Sequence, residues 1–309
     1  MRTADSRAAP VLLDGGVATD LQRAGVAVRP PWWTSAALRT EAHRRVLRGV
    51  HAAHLDAGAR VVTANTFRCH EATLRRAGAG PAERVALVGT AVRLAQQART
   101  ETGAAALVAG SLAPVADCYR PDLVPPEVEL RTQHGTLAAD LVRAGVDLVL
   151  VETMNTLREA RVALAAALAV GARAWVSFVC RADARLLSGE PLGVAARAVE
   201  RDGAETVLVN CGTPADTTRC LAELTECCAG PIGAYPNIED RAGLADGAHV
   251  DRPVPPALSP VDFADLLAGW HTRFRPAVLG GCCGTSPAHL RAASARLRPT
   301  EPASPEART

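Results

Sequence analysis

The chain has 309 residues, 48% of them hydrophobic, with 34 basic and 32 acidic side chains and a formal charge of +2. That length and balance suit one large globular core or two ordinary ones, and they leave no basic footprint for nucleic acid or an anionic membrane. Every basic residue is an arginine, so Schiff-base chemistry on a lysine is excluded.

The opening MRTADSRAAPVLLDGG has no apolar core of the kind a secretion signal needs, and no run approaches the roughly 18 apolar residues of a membrane span. The nine cysteines are therefore expected in a reducing cytoplasm, where clustered thiols point to metal binding or catalysis rather than disulfides.

The first apolar run, VLL (11–13), leads into DGG, Asp14 to Gly16. An amphipathic helix is predicted over 41–58, with Val46, Leu47, Val50 and Leu55 on one side and a glycine at its end. The second run, RVVTA (60–64), continues into NTF, and a proline-started helix follows over 81–100. AALVAG (105–110), DLVLVE (147–152), AWVSFV (174–179), TVLVN (206–210), PIGAY (231–235) and PAVLG (276–280) complete eight runs. Helical patterns cover 127–144, 157–170, 191–202, 214–227, 260–274 and 287–297. The runs are short, rich in β-branched residues and apolar on both faces, as strands of a parallel sheet covered on each side must be. Eight strand–helix units in about 300 residues predict a single (β/α)8 TIM barrel over 1–297, with a doubly wound sheet as the alternative. DRPVPPALSP (251–260) reads as an extended loop after the seventh strand, because its four prolines forbid a helix. Residues 298–309 read as a disordered polar tail.

A barrel puts its chemistry just after the strands. Those positions hold Asp14, Gly15 and Gly16, then Ala64 to Phe67, Glu152 with Thr153, Asn210 with Cys211, Tyr235 to Asn237, and GGCCG with Cys282 and Cys283. Cys211, Cys282 and Cys283 come from two strand ends and can meet at one mouth. On spacing alone two readings stand: a catalytic zinc site with three thiolates and an open fourth position, or small apolar residues filling strand ends. The other adjacent pair, Cys227 and Cys228, falls at a helix end without glycines and is read as unliganded. Cys69, Cys118, Cys180 and Cys220 are read the same way. His43, His51 and His54 lie on a predicted outer helix and are expected at the surface or in packing. His289 follows Ser286 and Pro287, the predicted cap and first residue of the last helix.

The combination of VNC with GGCCGTSPAHL resembles the homocysteine S-methyltransferase family, which uses one cysteine after an asparagine and the GGCC pair to hold zinc. The similarity runs from LLDGGVATDL through TANTF, VET, VSFVC, SGEPL, NCGTP and GAYPN to the last helix. It implies a (β/α)8 barrel, zinc on Cys211, Cys282 and Cys283, and methyl transfer from a small-molecule donor to the thiol of homocysteine, giving methionine. Glu152, projecting from the fourth strand, is the candidate for the substrate ammonium, with a salt bridge to a neighbouring arginine as the structural alternative; Asp14 with Gly15 and Gly16 offers a carboxylate and close backbone approach, with a tight turn as the alternative. The resemblance favours substrate binding for both, and Asn237 is read as orienting a loop or touching ligand. Family members often carry GSxGP after the third strand; here the segment is GSLAPVADCYRPDLVP, with Ala113 in place of the second glycine. The chain is too short for folate and cobalamin modules and lacks the long extension of betaine-using relatives, so a sulfonium donor, S-methylmethionine or S-adenosylmethionine, is expected.

Three alternatives remain at this stage. One is transfer to another thiol or selenol, such as selenocysteine. A second is a non-catalytic zinc-binding barrel with a closed fourth ligand. The third is a phosphate-binding barrel enzyme indifferent to Cys282. Neither the oligomeric state nor the role of Trp32 and Trp33 is decided by the sequence.

Overall fold

The computed structural model describes residues 9–243 and 252–298. The expected tail therefore lies outside the described residues except for Arg298, as does Asp251 of the expected loop. Val11–Leu12 (β1) leads into a short helix Val17–Arg23 (α1), a 3-10 turn Trp33–Leu38 and the helix Glu41–Asp56 (α2). Val61–Ala64 (β2) is followed by Glu71–Arg76 (α3) and Pro81–Thr102 (α4), and Leu107–Leu112 (β3) by a 3-10 turn Pro121–Leu123 and Glu127–Ala144 (α5). From there each strand carries one helix. Leu148–Met154 (β4) precedes Leu157–Ala169 (α6), and Ala174–Phe178 (β5) precedes Leu192–Arg201 (α7). Thr206–Asn210 (β6) precedes Pro214–Cys227 (α8), Ile232–Tyr235 (β7) precedes Pro260–Phe274 (α9), and Val278–Leu279 (β8) precedes Pro287–Leu297 (α10).

All strand pairs are parallel, in the order β1-β8-β7-β6-β5-β4-β3-β2. The two ends of that order also meet: Leu13 bridges Val61, and the Arg60 N–H donates to the Leu12 carbonyl at 2.7 Å. A sheet that returns to its first strand is a barrel, which rules out the doubly wound alternative.

Strand alternation decides what fills it. Outward residues such as Val62, Val108, Val149, Val176 and Val207 join the large core shared with the helices. Inward residues Leu13, Val61, Ala109, Leu148, Leu150, Trp175, Leu208 and Val278 form a separate apolar plug. Two residues further along the strands the inward positions turn polar: Thr63, Ser111, Glu152, Ser177 and Asn210. The barrel is thus an apolar floor under a polar upper layer, and that layer is the bottom of a cavity.

The predicted helices appear with ends displaced by at most two residues, and local chemistry explains where they begin. Thr40, Thr156, Thr213 and Ser259 each accept a backbone N–H of the first turn through the side-chain oxygen. Prolines open α4, α8, α9 and α10. Neither α1 nor α3 was foreseen; at 7 and 6 residues both are too short for helical periodicity to show and are held by tertiary packing. The last run is only half a strand, since β8 pairs through two residues before its glycines. His51 and His54 are fully buried, so they pack inside the outer layer rather than at the surface.

Candidate active site

A cavity of about 630 Å³ opens at the C-terminal ends of the strands. Cys211, Cys282 and Cys283 line it together, along with Asp14, Gly15, Glu152 and Asn237. Every residue expected at the site from the sequence therefore reaches one cavity.

Cys211 follows the last residue of β6 with a left-handed backbone (φ 59°), unusual for a residue with a side chain. Its sulfur lies 2.7 Å from that of Cys282, which is 3.9 Å from that of Cys283. The Cys282 thiol is pushed well up, first by hydrogen bonding to Cys211 and Cys283 and then by burial. Asn210 fixes this corner. Its amide Nδ2 donates to Cys211 Sγ at 3.1 Å and to Thr153 Oγ1 at 2.8 Å, and its Oδ1 accepts from Ser177 Oγ at 2.7 Å.

The glycines around the cysteine pair are there for close approach. A Cβ on Gly16 would stand 2.7 Å from the Cys282 carbonyl oxygen, and one on Gly280 would stand 2.6 Å from Leu13 Cβ. The Gly281 N–H donates to the Asp14 carbonyl at 3.0 Å, the Cys282 N–H to Pro236 at 2.9 Å, and the Ile238 N–H to Cys283 at 3.0 Å. The segment is clamped between the loops after β1 and β7.

Glu152 sits where the register of β4 against β5 shifts, between Val151 and Met154, and Thr153 beside it has φ 59°. Such an irregularity re-aims a side chain next to a site. The carboxylate accepts from Ser111 Oγ and, at 3.2 Å, from the Tyr235 hydroxyl. Burial pushes its pKa up to about 7, the Asp14 charge adds to the rise, and the two hydroxyls pull the other way. Asp14 is buried as well, and burial also raises its carboxyl above the ordinary range. Both its oxygens accept from Thr63, from the N–H at 2.7 Å and from Oγ1 at 3.0 Å. Among the described residues neither acid has an arginine or histidine within ion-pair distance; the charge of His54 works against the rise on Asp14, while no cation acts on Glu152. That removes the salt bridge to a neighbouring arginine as a structural reading of Glu152. Asn237 accepts from the Glu239 N–H at 2.9 Å, which shapes the loop after β7.

The pattern of the homocysteine S-methyltransferase family matches residues 11–297. The chain belongs to that family. The homocysteine S-methyltransferase of Escherichia coli (strain K12) is 30% identical over 93% of this chain and 94% of its own. Homocysteine S-methyltransferase 4 of Zea mays is 28% identical over 94% of this chain and 90% of its own. In structure, the metallated form of the homocysteine methyltransferase MmuM from Escherichia coli aligns with a TM-score of 0.80 at 27% identity, covering 96% of this chain and 99% of that one.

The family relationship sharpens a test of whether these thiols fit a metal. Among the described residues no group of three or more His, Cys, Asp or Glu side chains already stands in ligand geometry. Two thiolates on one zinc at about 2.3 Å lie about 3.8 Å apart. Cys282 and Cys283 have that spacing, whereas Cys211 and Cys282 are in tighter contact. The donor set fits zinc in kind, with three thiols at one cavity floor and an amide donating to one of them. It falls short in arrangement, since Cys211 and Cys282 stand closer than two ligands of one ion.

Sequence reasoning missed the partners of these residues. Ser111, Thr63 and Ser177 are all inward positions at strand ends, so counting by two from the plug residues would have found them; Tyr235 stood among the strand-end residues but its bond to Glu152 did not show. The loop after β3, which departs from the family pattern, is held from behind: His70 Nε2 meets the Ala113 carbonyl at 2.7 Å, and Glu159 accepts from the Val115 N–H at 2.8 Å. Asn155 donates to the Cys118 carbonyl at 3.0 Å. These bonds bring Asp117, Cys118 and Tyr119 to the cavity. The two tryptophans separate in role: Trp33 lines the cavity, while Trp32 packs on the outer core beneath Arg39, whose guanidinium is 4.1 Å from its ring.

Proposed function

We propose that this protein transfers a methyl group from a sulfonium donor, S-methylmethionine or S-adenosylmethionine, to the sulfur of homocysteine, giving methionine, with zinc held by Cys211, Cys282 and Cys283. One observation carries the reading: three thiols and two buried carboxylates line a single cavity, and Glu152 has no cation acting on it. A homocysteine molecule has a thiol for the first group and an ammonium for the second. Zinc, when bound, supplies the positive charge that keeps an incoming thiol ionised at neutral pH.

The protein's own residues do the rest. Glu152 takes the ammonium, while Ser111 and Tyr235 hold the carboxylate in the orientation that receives it. Asp14, anchored by Thr63, adds the second negative charge. Gly15 and Gly16 let the substrate approach the backbone. In the reaction a lone pair of the homocysteine sulfur forms the new S–CH3 bond as the donor S–CH3 bond breaks. The electron pair of the broken bond stays on the donor sulfur, which leaves as a neutral thioether, and the thiol proton goes to solvent. Catalysis is then positioning plus thiol ionisation.

A cytoplasmic location belongs to the same reading, since clustered thiols suit a reducing compartment. No helix among the described residues is long and apolar enough to cross a membrane. The test is direct: zinc-loaded protein is incubated with homocysteine and S-methylmethionine, then with S-adenosylmethionine, and methionine is measured. Formation of methionine by the wild type and none by Cys282→Ala is expected. Equal activity in the two proteins would overturn the reading.

A further inference from the structure

Arg68 belongs to the loop after β2 and lines the same cavity as the thiols. Its guanidinium carbon lies 4.9 Å from the Trp33 ring centroid and 5.1 Å from that of Phe67, and both rings line the cavity too. The rings hold the flat cation by cation–π contact. The segments that carry them are stitched together. Asn65 Nδ2 donates to the Thr34 carbonyl at 2.8 Å, and Ser35 Oγ donates to the Arg68 carbonyl at 3.4 Å. The side chain is thus positioned from two loops, yet its five N–H groups have no hydrogen-bond or ion-pair partner among the described residues. The other cavity arginines differ: Arg241 pairs with Glu239 at 3.0 Å, and Arg252 is exposed.

A half-buried, ring-held guanidinium with free N–H groups matches a carboxylate, which it can grip with two parallel bonds. We propose that Arg68 anchors the carboxylate of the methyl donor and so selects donors that carry an anion remote from their sulfonium. The assignment rests on the methyl-transfer reading above. Charge sets the direction: Arg68 repels the sulfonium, so the donor's cationic end turns towards the thiols and its carboxylate end towards the rim. Homocysteine carries a carboxylate too, but in this assignment its ammonium is held by Glu152 and Asp14 beside the thiols, which leaves Arg68 to the donor.

The experiment compares wild type, Arg68→Met and Arg68→Lys by titration calorimetry and steady-state kinetics. The ligands are S-methylmethionine, its decarboxylated analogue (3-aminopropyl)dimethylsulfonium, and homocysteine. Arg68→Met keeps an apolar stem against the two rings and is expected to weaken S-methylmethionine on the order of 10- to 100-fold, the loss of hydrogen bonds to a charged group. It should leave homocysteine and the decarboxylated analogue as they bind to wild type, and Arg68→Lys should recover part of the loss. If homocysteine suffers instead, Arg68 serves the acceptor and the assignment falls. It also falls if both donors weaken equally, which marks a packing role, or if nothing changes. A wild type that makes no methionine from any sulfonium refutes the function itself and takes this assignment with it; an active wild type with an indifferent variant refutes Arg68 alone.

Discussion

A carboxyl whose pKa is about 7 is only part ionised at neutral pH, and Glu152 is such a group. Its folded value lies above the ordinary carboxyl range, so it gains its charge only as pH rises through about 7. The charged form is the one that takes an ammonium. We expect kcat/KM for homocysteine to climb through that pH in wild type and to lose the step in Glu152→Gln, with a penalty of about 1.5–3 kcal/mol. A thiol without an amino group should show neither effect; an equal loss with that thiol would mark Glu152 as structural. Stability runs the opposite way. Between the ordinary carboxyl range and about 7 the folded protein holds a proton that the unfolded chain has released, so this group's contribution falls as pH rises through that window. Thermal melting across it should therefore show Glu152→Gln gaining on wild type. For the thiols, alanine at Cys211, Cys282 or Cys283 is expected to remove bound zinc and nearly all activity while far-UV circular dichroism stays that of the wild type. Full zinc content in Cys282→Ala and Cys283→Ala would refute the ligand assignment. That these residues line one cavity was legible in the sequence because strand ends are read off runs and glycines. Their partners were not, since Ser111 or Thr63 becomes meaningful only once the inward face of each strand is known.

The segment Gly280–Gly284 shows how an element can be specified by what it touches. Gly16 supplies the space for the Cys282 carbonyl, and its own backbone is ordinary (φ −72°). Gly16→Ala is therefore a test of packing rather than of backbone strain. The added methyl must displace Cys282, at a cost of about 1–3 kcal/mol, and we expect weaker zinc retention alongside the lower denaturant midpoint. A stability loss with undiminished zinc affinity would show that the cysteine pair tolerates movement. Gly284 differs, because its φ of 82° already excludes most side chains. At this scale the sequence was clear for long helices, whose caps and prolines are local signals. It was silent on α1 and α3, whose existence depends on neighbours far along the chain.

Across the whole molecule the staves of the barrel are unequal. β4 spans seven residues and β3 six, while β1 and β8 have two each. Hydrogen exchange is expected to be faster in β1 and β8 than in β4, since few backbone bonds must break to open that side. Zinc shared by Cys211 after β6 and the pair after β8 would tie the weak side down. The melting temperature should then rise with zinc in wild type and stay unchanged with zinc in Cys282→Ala. The barrel was legible from the count of eight runs, because alternation of short apolar strands with helices has few other solutions. The inequality of the staves was not, because an apolar run does not reveal how many of its residues will find a partner. One consequence concerns synthesis. Asp14 receives its bond from Gly281, and Val11 pairs with Val278. At roughly 5–20 residues per second a ribosome needs on the order of tens of seconds to make the intervening chain. Throughout that interval the nascent polypeptide has, of the three cavity cysteines, Cys211 at most, and no closing strand. Neither the β1–β8 closure nor a site that draws on Cys211, Cys282 and Cys283 together can form until the segment after β8 has been made.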